Sequence, residues 1–529
     1  MTGELPAPRE QTGRALWHKC VQAHPERPFL RCEDRAWTYG ECDEQMRRAA
    51  AGLAALGVSV GTRVLVGMSN RAETMFVQMA LRELGAVLVA LVPGLSLDQL
   101  RYQIEHSEGE VLVADDPIAS VLAPDLKAFA RITRAVLEDP PDQTIVAGRL
   151  RELFEYPPLT LRDLPGTDDL SPTAILYTSG STSTPKGAVL PAGAFFSGGL
   201  GYAQRFGFTR EDNYIHPMTL AHGLGAMLAQ SIPMHAGGQL TITDRFSPAT
   251  FWSEVQRHGA TFTLLFPAQL NLLMKFAPEA PRETSLRFVI SHAWHGEFVS
   301  SFGIDMGTVW GSTETGTVGA GSPLGYRGEL AAEGYLGPPL PAATEIEIRD
   351  PDGAPVSTGE SGEIWLRHPH IMLEYLKEPD LTAETVRDGW LRTGDRGGLD
   401  ARGHLLFRGR LKSMIKRSGE NISLEEIEAT LHEHPLVVEC IAFGVPDPIR
   451  TEELAVTAVL APGPGDSIGA AELSAYVADR LARWKAPRYV QTLDRPLPRL
   501  GSGKIDRTLI AREFDSERYW DSDRAAGRT

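Results

Sequence analysis

Tyr177-Thr178-Ser179-Gly180-Ser181-Thr182-Ser183-Thr184-Pro185-Lys186-Gly187 places seven consecutive hydroxyl or glycine residues ahead of a proline and a lysine. Small residues let backbone N–H groups and hydroxyls close around phosphate oxygens, and the lysine adds a compact positive charge. The order departs from a Walker-type loop: Pro185 stands where the second glycine belongs, and Gly187 follows the lysine. Polar surface loops share this composition. The ordered run behind the apolar stretch Ala174-Ile175-Leu176 nevertheless reads as a loop for nucleotide phosphates.

Four further clusters carry chemistry. Trp310-Gly311-Ser312-Thr313-Glu314 combines an aromatic able to stack on a base, a close-approach glycine, hydroxyls and a carboxylate suited to magnesium. Arg392-Thr393-Gly394-Asp395 and Gly409-Arg410-Leu411-Lys412 offer an aspartate for ribose hydroxyls and an arginine for charge-assisted bonds. Each also reads as a turn with a surface ion pair. Pro498-Arg499-Leu500-Gly501-Ser502-Gly503-Lys504 puts a lysine on a glycine-rich loop that domain movement could deliver to a distant site. The chain has nine Lys against 43 Arg, so a lysine marks a place where a compact ammonium is required.

The elements positioning these clusters alternate. Helical periodicity over Glu41–Leu56 and Arg71–Glu83, strands at Val64–Val66 and Ala86–Val92, a helix from Ser247-Pro248 to Gly259 and a strand at Phe262–Phe266 predict helices packed on a largely parallel sheet. From about Gly325 to Trp390, short alternating segments such as Glu345–Ile348 and Glu363–Leu366, with a turn at Asp352-Gly353, predict a small β-rich subdomain. Mixed α/β texture returns after Gly409-Arg410, with a helix at Ser423–His432, strands near Val438–Phe443 and Ala455–Leu460, and a helix at Ala470–Leu481. The expected fold class is therefore α/β, with a large N-terminal domain (1–409) and a smaller, mobile α+β C-terminal domain (410–529). The polar tail after Asp521 reads as disordered.

At 529 residues, 42% hydrophobic and 23% charged, the chain has the composition of a soluble globular protein. A net charge of -16 argues against nucleic acid or an anionic membrane as the main partner. Cys20, Cys32, Cys42 and Cys440 show no metal-like pairing and read as reduced thiols; with no apolar leader visible, a cytoplasmic location is expected.

The five clusters, in this order, resemble the adenylate-forming superfamily of acyl-CoA synthetases, luciferases and peptide-synthetase adenylation domains. The resemblance runs from about Leu16 to Ile510, and Ile415-Lys416-Arg417-Ser418-Gly419-Glu420-Asn421-Ile422-Ser423 is most like carnitine/crotonobetaine-type and medium-chain acyl-CoA ligases. It implies attack of a carboxylate on the α-phosphate of MgATP, release of pyrophosphate, rotation of the C-terminal domain and transfer of the acyl group, usually to the thiol of CoA. By the same resemblance, Thr178, Ser179, Gly180, Ser181, Thr182 and Lys186 cradle phosphates, and Trp310, Gly311, Ser312 and Thr313 belong to the nucleotide site. Glu314 ligates Mg²⁺, Asp395 and Arg410 hold the ribose, Lys412 is the hinge, and Lys504 bridges substrate carboxylate and ribose oxygens. Gly419 matches the passage of the pantetheine arm or is a turn glycine, and His222 matches an acyl-pocket histidine or is structural.

The main departure is Ile290-Ser291-His292-Ala293-Trp294-His295-Gly296-Glu297, where the family has a Gly-Gly-containing loop. His292, Trp294 and His295 there mean either a polar, aromatic or unusually small substrate, or repacked core. The expected partners are a small carboxylic acid and a nucleotide, with a homodimer as one arrangement. No carrier domain with a phosphopantetheine serine is read after Ile510, and a stand-alone ligase is expected. The alternatives are a non-CoA acceptor (an amide synthetase, or a diazotase activating nitrite) and a carrier-protein loading enzyme.

Overall fold

A computed structural model describes residues 13–525, apart from 123–125, 127, 139–145, 166, 179–184, 280–283, 342, 418–419, 448–449, 462–467, 482 and 501–503. Two large sheets with parallel centres form the bulk of the chain. One runs, in spatial order, Pro339–Leu340, Gly319–Gly321, Asp305–Trp310, Phe288–Ser291, Phe262–Leu264, Asn213–His216, Gln239–Ile242, Pro28–Cys32 and Arg35–Thr38. The other runs Glu374–Tyr375, Lys186–Pro191, Pro172–Thr178, Val87–Ala90, Arg63–Gly67, Val111–Ala114, Arg134–Leu137 and Val146–Arg149. Strands such as Val87–Ala90 and Val111–Ala114 are buried along their whole length, which is why they read as unbroken apolar runs rather than alternating ones. The fold class is α/β, as the alternation implied.

Local chemistry sets the helix ends. The helix Tyr39–Ala55 begins in a capping box between Thr38 and Glu41, and Pro248–His258 starts on a proline and stops at Gly259 in the left-handed region. Buried faces such as Met75, Phe76 and Met79 pack onto the sheets. A third, antiparallel sheet joins Tyr335–Gly337, Leu405–Arg410, Trp390–Leu399, Gly362–Arg367 and Glu345–Arg349. The fourth, from Met414–Arg417 to Trp520–Asp521, has a core of its own around Ile415, Ile427, Val456 and Val490.

The tail corrects the sequence reading. Asp521 takes a bidentate bond from Arg488, and Ser522–Ala525 forms a helical turn, so order continues to Ala525. Paired carboxylates, invisible as a hydrophobic pattern, hold it. All four cysteines are buried free thiols, and burial lifts Cys20 and Cys32 to about 11, out of the range of useful nucleophiles. Among the described residues, no helix is long and apolar enough to cross a membrane.

Candidate active site

Residues from three sheets, with Lys504 from a C-terminal loop, come together in one place. Thr178 ends a strand of the second sheet, and the antiparallel strand Lys186–Pro191 brings Lys186 back opposite it. Tyr102 donates to the Pro185 carbonyl at 3.0 Å, fixing one root of the intervening loop. Ser179, Gly180, Ser181 and Thr182 lie outside the described residues, as does Gly419; of Lys412 only the backbone is described.

Glu314 follows the strand that ends at Trp310. Its Oε1 accepts from the Thr178 hydroxyl at 3.3 Å and from the Tyr375 hydroxyl at 3.0 Å, and its carbonyl accepts from Met372 N at 2.9 Å. Both side-chain bonds fall on one oxygen, which leaves Oε2 for a cation. Lys186 Nζ lies 5.5 Å from the centre of the Tyr375 ring. Burial and then Glu314 raise the Tyr375 hydroxyl well above its ordinary range, so it stays a donor. Tyr375 was not among the residues expected from sequence. Its neighbours Glu374 and Leu376 carry no motif that would have marked it.

Asp395 faces Trp310 and Arg410. Trp310 Nε1 donates to Oδ2 at 2.8 Å, which ties this aromatic to the aspartate. Arg410 Nε forms an ion pair with Oδ1 at 3.3 Å, yet among the described residues Oδ1 accepts no hydrogen bond. Burial lifts this carboxyl to about 6, against the opposing pull of Arg410. An orphaned acceptor beside a half-exposed guanidinium fits a pair of ribose hydroxyls.

Lys504 enters from the C-terminal sheet's side of the cleft. Protein surrounds its ammonium on most sides, yet the side chain keeps water contact, as in an open-mouthed cleft. The crowding, with Arg410 next, lowers its pKa, while Glu314 opposes the shift. Thus Lys504, Glu314 and Arg410 share one electrostatic neighbourhood.

The far wall carries imidazoles. Asn70 pins the chain before His222 by donating to the carbonyls of Met218 (2.6 Å) and Thr243 (3.0 Å) and accepting from Leu220 N (2.8 Å). No local motif around Asn70 marks it for this role. His222 Nδ1 accepts from Leu224 N at 3.4 Å, where a π-helical turn, Leu224–Ala229, begins. Burial first, then Lys504, His216 and His292, hold His222 down at about 3. His292 is held at about 4 by burial and Lys504, and it stacks on Phe266 with ring centres 5.3 Å apart and planes 11° from parallel.

The other two residues of that segment are scaffold. His295 accepts from Phe298 N at Nδ1 as the cap of the helix Gly296–Phe302, so its Nε2 donates to Asn271 Oδ1 at 2.8 Å. Trp294 packs edge-on against Tyr326 and fills the space above Gly328.

This geometry matches known proteins. The AMP-binding enzyme family matches residues 17–376, and the C-terminal domain of AMP-binding enzymes matches 426–504. The chain belongs to the AMP-binding enzyme family. It is an AMP-forming ligase by that membership and by its curated relatives. A crotonobetaine/carnitine–CoA ligase of Escherichia coli O45:K1 is 29% identical over 93% of this chain and 98% of its own length. A sulfoacetate–CoA ligase of Cupriavidus necator is 31% identical over 92% of this chain and 94% of its own. Among solved structures, the O-succinylbenzoate–CoA synthetase of Bacillus subtilis, in complex with ATP and magnesium ion, superposes with a TM-score of 0.78 at 27% identity, covering 93% of this chain and 98% of that one.

Proposed function

We propose that this enzyme activates a carboxylic acid as an acyl-adenylate and then transfers the acyl group to the thiol of CoA. The convergence of Lys504, Glu314 and Arg410 on one cleft carries the reading. In the first step one anion attacks another, which requires cations at the developing charge. Lys504 orients the acid's carboxylate and neutralises it, and Lys186 faces the phosphates from the loop's root. Asp395 Oδ1 takes the ribose hydroxyls, with Arg410 beside it. Glu314 Oε2 would hold Mg²⁺, which supplies charge neutralisation on the phosphates. Magnesium needs only one or two protein carboxylates beside phosphate and water oxygens, so a single one fits.

The arrangement described, with Lys504 in the cleft, is that of the first step. Transfer requires Lys504 to leave and the acceptor thiol to enter, with rotation about Lys412 bringing the Gly419 segment toward the thiol's path. A cytoplasmic enzyme working as a homodimer completes the reading.

The test is pyrophosphate release with MgATP across aliphatic and aryl acids and nitrite, with and without CoA, followed by mass analysis. A CoA thioester establishes the function. Turnover that ignores CoA and yields an amide or diazo product replaces the acceptor, and transfer to a carrier protein alone makes this a loading enzyme. The absence of pyrophosphate release with every acid would overturn the proposal.

A further inference from the structure

Two carboxylates clamp the legs of the loop that carries Lys504. Before the lysine, Arg499 pairs with Glu439 Oε1, and Leu497 N donates to Oε2 of the same carboxylate at 3.3 Å. After it, Arg507 donates to Glu428 Oε1 at 2.7 Å, and that oxygen also accepts from Ala442 N at 2.8 Å. Glu439 and Ala442 lie on one strand, Val437–Asp447, and Glu428 lies on the helix Leu424–His432 packed against it. Both legs are thus referred to a single rigid unit. They are also tied to each other: Leu500 N donates to the Lys504 carbonyl and Asp506 N to the Pro498 carbonyl, both at 2.8 Å. Leu497 and Ile505 seat the legs on the apolar residues Ile441 and Phe443. Burial pushes the Glu428 carboxyl up to about 7, Arg507 and Ala442 N pull against it, and Glu425 adds to the rise.

A single ammonium that serves a bond-forming step must be held close to its mark, because a misplacement of about 1 Å costs roughly a hundredfold in rate. The residues ahead of Lys504, Gly501-Ser502-Gly503, have no side chains able to hold it there. We infer that Glu428 and Glu439 are positioning residues for the first half-reaction: through Arg507 and Arg499 they fix the legs of the loop, and so the reach of Lys504. The transfer step, from which Lys504 has withdrawn, does not depend on them. The inference rests on the ligase reading and on the part given there to Lys504.

The experiment measures the two half-reactions separately in the full chain. The acid is the one that releases pyrophosphate fastest when aliphatic and aryl acids, from acetate to benzoate, are run with MgATP. Its adenylate is then supplied ready-made with CoA, or with whichever acceptor product analysis names. Glu428→Ala should slow adenylate formation by about ten- to a hundredfold, as for loss of a buried charge-assisted hydrogen bond, and leave transfer within about twofold. Glu439→Ala, whose partner Arg499 is more exposed, should slow it by about two- to fivefold. Glu428→Gln, whose amide oxygen still accepts from Arg507 and Ala442 N, should recover most of the rate. Should Glu428→Ala fail to fold, Arg507→Gln weakens the same bond from the loop's side and is judged by the same split. Equal loss of both half-reactions would make the clamp a matter of domain stability alone and overturn the inference. Adenylation unchanged in the folded variants would overturn it too, with the ligase left standing. No release with any acid removes the ligase reading, and this inference with it.

Discussion

On the proposed nucleotide side of the cleft, polar groups brace one another: Thr178 and Tyr375 hold Glu314, and Trp310 holds Asp395. On the proposed acid side, Phe266 stacks on His292, His222 takes a single bond from backbone, and buried His216 Nε2 has no hydrogen-bond partner among the described residues. A braced wall can serve one ligand, because moving any member strands another buried polar group. A stacked wall can change occupants by changing one ring. The contrast explains how a shared adenylation chemistry can face different acids.

Four experiments would break or sharpen this contrast. The largest effect is expected from Lys504→Ala, which should slow adenylate formation by about a thousandfold, the upper end for removal of one charge-stabilising group. Transfer from a supplied acyl-adenylate should stay largely intact; equal loss of both half-reactions would refute the role given to Lys504. Asp395→Asn comes next. With an amide in place of the buried acceptor, the KM for ATP should rise about tenfold to a hundredfold, corresponding to roughly 1.5–3 kcal/mol for a charged hydrogen bond. An unaltered KM, measured at saturating acid, would separate Asp395 from the ribose.

Tyr375→Phe removes one brace and keeps the ring beside Lys186. A loss of about two- to tenfold in kcat is expected, because a neutral hydrogen bond contributes about 0.5–1.5 kcal/mol. It should be partly recovered at raised Mg²⁺ if the brace acts through Glu314.

The remaining experiment concerns pH at the seam between the helix Pro267–Phe276 and the helix Leu424–His432. Lys275 Nζ and His432 Nδ1 are buried there without hydrogen-bond partners among the described residues. Burial, then Lys275, holds His432 at about 4, and burial lowers Lys275. His434 faces the same lysine, with Arg480 adding positive charge and Glu472 opposing it. A histidine depressed in the closed state leaves that state fully favoured above its ordinary pKa; the advantage is lost as pH falls toward 4. At pH 5.5 the closed-to-open ratio should drop about tenfold relative to pH 8. Fluorescence transfer between labels on the two domains would report it, and His432→Gln should flatten the profile. A profile unchanged by that substitution would clear His432 of the effect.

Much of the architecture was legible because buried strands and helix caps write themselves locally: Val87–Ala90 as an apolar run, and Pro248 to Gly259 as a start and a stop. Glu314, Asp395, Arg410 and Lys504 could be singled out because their chemistry needs those residue types on small-residue turns. What escaped was contact between distant segments. Nothing near Tyr375 announces Glu314, and nothing near Asn70 announces the loop before His222. Of the three aromatic residues at 292–295, sequence could not tell which ring faced the cleft. That depends on a helix cap and on a glycine at 328, more than thirty residues beyond.

Arg410 closes the strand Leu405–Arg410, and the chain leaves for the C-terminal sheet at the very next turn, Leu411–Ser413. On the proposed function, a ribose settling on Asp395 Oδ1 would displace or share the guanidinium now 3.3 Å away, so occupancy would be felt one residue from the start of the turn that leads to the C-terminal sheet. In the proposed reading, nucleotide recognition and the axis of motion share a lever arm, and the loss of AMP would be a mechanical signal as well as a chemical one.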